Sequence, residues 1–570
     1  MSHEERRTTV GSGKSQTSSI RTTTPRPLSL LILAAALALF AASCATSEKN
    51  PSDTSNSNAT VTYSQNATSN MSAAKPSGSV AGYNDMREAR EPGGGETYAK
   101  IDENPFLEAA RAPLSTFSID VDTASYSNTR RFLSGGQLPP KDAVRIEELV
   151  NYFSYDYPQP TGNTPFSVTT EVAECPWNSQ HKLVHIGLQG RKVSTEDLPP
   201  ANLVFLIDVS GSMDEPTKLP LVKSSLRTLA EQLSSRDRVA IVVYAGNSGL
   251  VLPSTPGDRK GEIISALGQL EAGGSTNGGS GIQLAYRVAQ DNFIQGGTNR
   301  VVLATDGDFN VGLTNDDELV KLIEEKRRGG VFLSVLGFGT GNLNDSMMEK
   351  LADKGNGNYA YIDTQAEAQK ALGEQVGGTL MTIAKDVKIQ VEFNPHAVAG
   401  YRLIGYENRL LAARDFQDDK KDAGEIGAGH TVTALYEIVP AGQKIENPGV
   451  DELKYSQPEQ TTQGTDSGEL LTVKLRYKEP DADVSKPLNV GVVDSRTSFR
   501  NASENFKFAA AVAEFGMLLR DSRYKGQSSY DGALELARAS VGTDLRGYRA
   551  EFVHLVETAR GLAPREGTGR

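Results

Sequence analysis

Three oxygen-bearing side chains, Asp208, Ser210 and Ser212, follow directly after an apolar run in the sequence LVFLIDVSGSM. The apolar run predicts a buried strand, so these side chains would stand together at the carboxyl end of that strand. Carboxylate and hydroxyl oxygens are the ligands of hard cations such as Mg2+, which takes about six oxygens and usually keeps several waters. The sequence therefore predicts part of a cation site here, and further ligands must come from other loops.

Two later loops offer such ligands. Thr276 lies in the glycine-rich stretch GGSTNGGSG just before a predicted helix, and Asp306 ends the strand-like run in LATDGDFN. Between residues 202 and 380, apolar strand-like runs alternate with amphipathic helical patterns, which predicts a mostly parallel sheet covered by helices on both faces. Ligands bind such sheets at the carboxyl ends of the strands. The three loops would together supply two carboxylates and three hydroxyls at that edge.

The order Asp-x-Ser-x-Ser, a distant Thr and an Asp in TDG resembles the metal-ion-dependent adhesion site of the von Willebrand factor type A (VWA) domain. Asp208, Ser210, Ser212, Thr276 and Asp306 match that motif one by one. The resemblance implies a doubly wound, Rossmann-like α/β domain that binds Mg2+ or Mn2+ directly through the hydroxyls and directly or through water by the carboxylates. It also implies a protein partner whose acidic side chain completes the coordination shell. Helix capping by the two serines is an alternative, but it leaves Thr276 and Asp306 unexplained.

The segments on either side resemble a narrower group of proteins. STFSIDVDTASYSNTRRFL and CPWN before the domain, and GYENRLLAARDF and FKFAAAVAEFGMLLRDS after it, look like bacterial lipoproteins that carry a VWA domain between an N-terminal associated domain and an uncharacterised C-terminal domain. The N-terminal flank is predicted to hold a strand, two helices and two further strands, whereas strands predominate in the C-terminal flank before a helical end. One hypothesis joins the strands of both flanks into a single sandwich, because domain termini often lie close together. The predicted divisions are 1–43 (signal peptide), 44–97 (lipidated cysteine and disordered tether), 98–199 (N-terminal VWA-associated mixed α/β domain), 200–380 (VWA domain), 381–502 (C-terminal β-rich domain) and 503–570 (C-terminal helical segment).

The first part of the chain has the pattern of an export signal. A basic segment precedes the apolar run 28–42, which ends in small residues and is short for a membrane span. The following AASC resembles the lipobox of bacterial lipoproteins, which implies lipidation of Cys44 and a lipid anchor in the cell envelope. Ala41 stands where leucine is usual, and a plain signal peptide or an uncleaved anchor are the alternatives. Ala45 after the cysteine favours the outer membrane if the organism is Gram-negative.

Composition and motifs restrict the function further. The net charge of -12 argues against a nucleic-acid partner, which would require a basic face. The chain has no phosphate-binding GxxxxGK[ST] loop, dinucleotide-binding GxGxxG after a strand or nucleophile-elbow GxSxG. We therefore predict a binding protein and no enzyme. A metal beside Asp306 and Asp308 could activate water, so a metal-dependent hydrolase is one alternative, and a structural envelope protein without a metal-bridged partner is another.

Three other groups of residues could do chemistry, and a structural role is favoured for each. Asp120, Asp122 and Ser125 could hold a second cation, but helix capping and hydrogen bonds within the core are the preferred interpretation. His181 and His185 have the i, i+4 spacing of a helical zinc pair but lie in a strand-like stretch.

The third group is a single residue, Cys175, which carries the only free thiol once Cys44 is lipidated. Cys175 lies in EVAECPW and lacks a marked activating base, which favours a packed, unreactive side chain.

Overall fold

The structure is a computed structural model that describes residues 95–274, 278–307, 316–341, 343–374, 381–421, 423–445, 468–480 and 482–564. The predicted signal peptide, Cys44, all but the last three residues of the predicted tether, and Thr276 lie outside these ranges. Over the described ranges, no helix has both the length and the apolar character needed to cross a membrane.

The N-terminal flank folds largely as its sequence pattern predicts. Its elements are β1 (Leu107–Glu108), β2 (Leu114–Ser118), α1 (Ala124–Ser134), α2 (Ile146–Asn151), β3 (Phe166–Cys175) and β4 (Asn178–Gly190). The strands β2 and β4 are mostly buried and β3 is half-buried over much of its length, and the two helices pack their apolar faces inward.

The central domain alternates strands and helices. Its elements are β5 (Ala201–Asp208), α3 (Leu219–Gln232), β6 (Arg238–Tyr244), β7 (Ser248–Pro256), α4 (Lys260–Gly268), α5 (Gly278–Asp291), β8 (Thr298–Thr305), α6 (Asp316–Arg328), β9 (Val331–Phe338), α7 (Asp345–Lys354), β10 (Tyr359–Ile362) and α8 (Gln365–Ala368), which continues into a π-helix, Gln369–Glu374.

The central strands form one sheet in the order β10-β9-β8-β5-β6-β7, in which only β7 runs antiparallel to its neighbour. Every residue of β5 is buried, because α3, α4 and the π-helix pack on one face of the sheet and α5, α6 and α7 on the other. This doubly wound α/β arrangement is the predicted fold. The edge strand β7 was not predicted, because prolines and exposed positions interrupt its apolar pattern.

The C-terminal flank begins with strands and ends with helices. Its elements are β11 (Thr382–Phe393), β12 (Val398–Ile404), β13 (Ile426–Gly427), β14 (Thr431–Pro440), β15 (Glu469–Lys478), β16 (Lys486–Val493), α9 (Glu504–Arg520), α10 (Tyr530–Ala539) and α11 (Tyr548–Leu562).

The two flanks share both of their sheets. One sheet has the order β1-β12-β14-β4-β3, and the other has the order β13-β11-β15-β16 with β2 also paired to β11. Strands from both flanks fill one apolar core between these sheets, while α1, α2 and the three C-terminal helices surround a second core on the outer face of β4 and β14. The flanks therefore build one sandwich with a helical layer, as the hypothesis of joined flanks predicted.

Candidate metal centre

The turn after β5 brings three predicted ligands to the carboxyl edge of the central sheet. Asp208 is the last residue of β5, and a short 3-10 turn, Gly211–Met213, follows it at once. In the parallel register Ile207 lies beside Ala304, so the end of β5 stands next to Thr305 and Asp306 at the end of β8. The parallel sheet therefore gathers Asp208 and Asp306, which are 98 residues apart in sequence, at one edge.

Asp208 is buried and held in place by its neighbours. Its Oδ1 accepts a hydrogen bond from the Ser210 backbone N–H at 2.9 Å, and its Oδ2 accepts one from the Thr305 hydroxyl at 3.4 Å. Burial raises the pKa of Asp208 to about 6, although hydrogen bonds from Ser210 and Tyr244 act in the opposite direction. A bound cation would favour the ionised carboxylate and so remove this cost of burial.

The two serines lie together in the turn after β5. Their hydroxyl oxygens are 3.1 Å apart, with Ser210 buried and Ser212 half-buried. The glycine-rich loop lies against the same turn, because Gly211 donates its backbone N–H to Gly274 O at 3.1 Å and Gly273 donates to Val209 O at 2.8 Å. This loop carries Thr276, which lies outside the described residues.

Lys218 is a member of the site that the sequence reasoning missed. Its ammonium donates to Asp306 Oδ2 at 3.1 Å and to the Ser212 carbonyl oxygen at 3.0 Å, and the side chain is buried. Its aliphatic stem packs over Gly339, which has a φ of +72° and where a Cβ would overlap that stem. A lysine just before an amphipathic helix gives no sequence signal of burial, because lysine is usually exposed.

The donor set fits a hard divalent cation. Asp208, Ser210, Ser212 and Asp306 offer only oxygen ligands, and the hydroxyl of Ser212 is accessible to solvent. Among the described residues, no cluster of three or more His, Cys, Asp or Glu side chains could hold a metal, so a site here has to depend on hydroxyls as well as two carboxylates. These residues would hold Mg2+ or Mn2+, and the bound ion would supply a Lewis acid at the surface.

The other possible cation site, Asp120, Asp122 and Ser125, has a structural role. Asp122 accepts hydrogen bonds from the Tyr359 backbone N–H at 2.7 Å and from Arg409 at 3.2 Å, and the Ser125 hydroxyl donates to Ala143 O at 2.7 Å. The prediction of hydrogen bonding within the core is confirmed. The prediction of helix capping is wrong, because Thr123 is the N-cap of α1 and makes no side-chain capping bond.

The two histidines and Cys175 are packed side chains, as predicted. His181 Nδ1 lies 2.6 Å from Glu437 Oε1, and His185 Nε2 lies 2.8 Å from the Tyr157 hydroxyl. Burial lowers the pKa of His185 to about 3, so its ring is neutral at pH 7. Cys175 is buried in the core below the helical layer, and burial raises the pKa of its thiol, which keeps it unreactive.

The fold and the arrangement of this site define the central unit as a VWA domain. The family model of the von Willebrand factor type A domain matches residues 202–375, and a further model described as von Willebrand factor matches residues 92–185. A third model, described as the C-terminal part of the uncharacterized protein YfbK, matches residues 378–562.

The chain belongs to the YfbK family. It is 45% identical to the uncharacterized protein YfbK of Escherichia coli (strain K12) over 472 residues, which covers 82% of this chain and 81% of that protein. It is also 27% identical over 301 residues to the human inter-alpha-trypsin inhibitor heavy chain H3, covering 48% of this chain and 33% of that protein. Among solved structures, a von Willebrand factor type A protein from Catenulispora acidiphila is similar at 16% identity and a TM-score of 0.38, covering 68% of this chain and 89% of that one.

Proposed function

We propose that this protein is a cell-envelope lipoprotein that binds another protein through a divalent cation. Asp208, Ser210, Ser212, Thr276 and Asp306 hold Mg2+ or Mn2+ in a metal-ion-dependent adhesion site, and an acidic side chain of the partner completes the shell. The observation that carries the proposal is the cluster of two buried carboxylates and two serine hydroxyls at the carboxyl edge of the VWA sheet.

The chemistry of the cluster supports binding over catalysis. Few carboxylates contact the ion, so the ion keeps positive charge and an exchangeable water that a partner's carboxylate displaces. The described residues of the turn contribute no histidine, and its further carboxylates, Asp214 and Glu215, are exposed to solvent. VWA domains commonly mediate protein–protein interaction, which agrees with this role.

The anchor is proposed from the first part of the chain. Cys44 carries the lipid, the polar stretch after it acts as a tether, and the folded unit stands clear of the membrane surface, with the outer membrane favoured in a Gram-negative organism. Labelling cells with a radioactive fatty acid tests this directly. The wild-type protein is expected to take up label and the Cys44→Ala variant to take up none, whereas label in the variant would refute the assignment.

Metal binding is tested on the purified full chain by titration calorimetry with MnCl2. Asp208→Ala and Thr276→Ala are expected to abolish the binding heat. Asp214→Ala is the matched control, because Asp214 is an exposed carboxylate in the same turn. Equal Mn2+ affinity of the wild type and the Asp208→Ala variant would contradict the metal site.

Partner binding is tested by crosslinking in intact cells followed by affinity purification. Adducts seen with the wild type and with Asp214→Ala, and lost both with Asp208→Ala and after EDTA treatment, would support adhesion. Adducts that survive both treatments would leave the protein with an envelope role independent of the metal. Metal-dependent turnover of phosphoesters or peptides by the purified chain would replace the proposal by a hydrolase.

A further inference from the structure

A cavity of about 470 Å³ lies between the VWA sheet and the sandwich built by the flanks. Its floor is formed by β5, β8, β9 and β10, on the face of the sheet that α3 and the π-helix cover only in part. The loop between α2 and β3, and the segment between β13 and β14, close the remaining sides. The volume is within the range of small-molecule sites, which is about 300–1,000 Å³. We call this space the junction cavity.

Arg300 on β8 lines the junction cavity, and its charge is not neutralised by an ion pair. The residue is 3% exposed, one terminal N–H donates to the Ser334 hydroxyl at 2.6 Å, and Nε has no hydrogen-bond partner. No carboxylate within the described ranges forms an ion pair with it. Burial lowers the pKa of Arg300 to about 10, while the charge of Glu425 acts in the opposite direction, so the guanidinium remains charged at pH 7.

This arrangement differs from that of the other arginines buried near the sandwich. Arg130 pairs with Asp363 and Glu367, and Arg145 with Glu148 and Asp345. A buried charge left without a counter-ion costs several kcal/mol, so proteins usually supply one. Arg300 is therefore the one of these three buried arginines that has no ion pair with a carboxylate in the described ranges, and its guanidinium lies 5.7 Å from the Phe332 ring centroid.

The other charged groups around the junction cavity do not neutralise Arg300. Asp122 is bound by Arg409, and Glu374 lies 3.3 Å from Arg546. Lys192 adds positive charge. Lys192 and Glu374 are exposed, so the cavity communicates with solvent at this part of its wall.

The junction cavity adjoins a smaller pocket. His430 lines both spaces, and burial lowers its pKa, so its ring is neutral at pH 7. Arg300 also lines both spaces, and the small pocket is further lined by Asp120 and Glu425. Asp120 lies 3.9 Å from Arg409, and Glu425 accepts a hydrogen bond from Asn356 at 2.6 Å.

We propose that the junction cavity binds a small monocarboxylate whose carboxylate group pairs with Arg300 and whose apolar body packs against Leu203, Val302 and Leu336. A guanidinium presents two parallel N–H groups that match a carboxylate, and one negative charge balances the buried charge of Arg300, whereas Lys192 is exposed and solvated. A phosphate dianion would leave excess negative charge among apolar side chains, where burial is costly. The ligand would contact the VWA sheet and the sandwich together and so would stabilise both. This site is independent of the proposed metal centre.

The test uses the purified full chain with butyrate, hexanoate, octanoate and benzoate as probes, measured by titration calorimetry and thermal unfolding. At least one probe is expected to bind with a Kd of about 1 mM or tighter and to raise the Tm. The matching neutral amide is expected to bind at least about tenfold more weakly, because it lacks the charge-assisted pair with Arg300. Failure of all four carboxylates to bind, or equal binding of the amide, would overturn the proposal.

Two variants test separately whether the carboxylate of the ligand contacts Arg300 and whether the ligand occupies the junction cavity. Arg300→Met is expected to lose carboxylate binding by about tenfold or more, whereas Arg414→Met, an exposed arginine in the sandwich, is expected to bind like the wild type. Ala360→Leu adds volume to the cavity wall and leaves Arg300 unchanged, and it is expected to block the probes. If Arg300→Met does not fold, as judged by circular dichroism, unchanged probe binding by Ala360→Leu would by itself place the ligand elsewhere.

Discussion

Arg409 joins the sandwich to the last long helix of the VWA domain, and its replacement tests how firmly the two are coupled. Its guanidinium donates to Glu349 Oε1 on α7 at 2.9 Å and to Asp122 Oδ2 before α1 at 3.2 Å, and it also pairs with Asp353 on α7. The side chain is only 8% exposed. Arg409 is therefore the cation around which carboxylates from the VWA domain and the N-terminal flank are buried together.

The Arg409→Met substitution keeps an unbranched apolar stem and removes the charge. Asp120, Asp122 and Asp353 then lose this cation, while Glu349 keeps Arg145 at 3.7 Å. Removing one partner of a buried ion pair costs about 3–5 kcal/mol. Arg414→Met is the control, because the Arg414 side chain is 90% exposed and lies 3.8 Å from Asp415. A surface pair of this kind contributes about 0–1 kcal/mol.

The free energy of unfolding that Arg409→Met loses should depend on pH. Burial raises the pKa of Asp122 and of Asp353, while Arg409 lowers both, so removing Arg409 raises these pKa values further. A carboxylate whose pKa is higher in the folded than in the unfolded state contributes stability below its unfolded pKa, and this stability is lost as the pH rises through its folded pKa. The deficit of Arg409→Met is therefore largest at pH 8 and shrinks towards pH 5.

The assay is urea unfolding of the full chain at pH 8 and pH 5. Far-ultraviolet circular dichroism reports on the whole fold, and fluorescence of Trp177, the only tryptophan, reports on the sandwich. In the variant we expect the two transitions to separate at pH 8, because the VWA domain loses one of its buried ion-pair contacts with the sandwich, while those of Arg130 and Arg145 remain. A loss below about 1 kcal/mol at pH 8, or an equal loss at both pH values, would refute this account of Arg409.

Three shorter predictions follow. Burial raises the pKa of Glu514 to about 7, so ionising this side chain in the folded protein lowers the free energy of unfolding at higher pH. Glu514→Gln is therefore expected to raise the free energy of unfolding, measured with urea, by up to about 3 kcal/mol at pH 8 and by little at pH 4.5. Gly339→Ala is expected to lower the Tm more than Gly341→Ala does, because both glycines have positive φ but only a Cβ at Gly339 would overlap Lys218. Chelation by EDTA is expected to leave the far-ultraviolet circular dichroism spectrum unchanged, because one open metal site contributes little to a large apolar fold; loss of the α/β signal would contradict this.

The local pattern of the sequence predicted most of the central domain. The strands β9 and β10 and the helices α5 and α6 follow the alternation predicted between residues 202 and 380, because continuous apolar runs and three- to four-residue apolar spacing are strong signals over such lengths. The exposed strands β7 and β16 were not predicted, since half or more of their residues face solvent or the rim of a sheet. Their strand conformation is imposed by pairing with β6 and β15.

The sequence pattern could not predict which distant parts of the chain contact each other. Ser118 in β2 pairs with Lys388 in β11, and nothing in either segment specifies that partner. The same limit applies to the metal centre. The ligand residues are recognisable as a spaced motif, whereas the approach of Lys218 to Asp306 depends on how α3 enters the carboxyl edge of the sheet.

The position of Lys218 leads to a last prediction about the charge of the metal centre, which rests on the proposed function. Asp208 and Asp306 contribute two negative charges and Lys218 one positive charge, while Glu215, 3.3 Å from Lys218, is more than half exposed and so is screened by water. A divalent ion then leaves the buried part of the site with one net positive charge, which favours an acidic partner.

Replacing Lys218 should therefore change metal affinity and partner affinity in opposite directions. Lys218→Met keeps the stem over Gly339 but removes the charge, and a unit charge at this range contributes about 1–3 kcal/mol at an effective dielectric constant near 20. We expect Mn2+ to bind about tenfold or more tightly in calorimetry, because a repulsive cation is gone. We expect metal-dependent crosslinking to the partner to weaken, because the loaded site is then neutral, and Lys218→Arg to retain it. A fall in both affinities would show that Lys218 mainly orients Asp306, and the charge would then not explain the choice of an acidic partner.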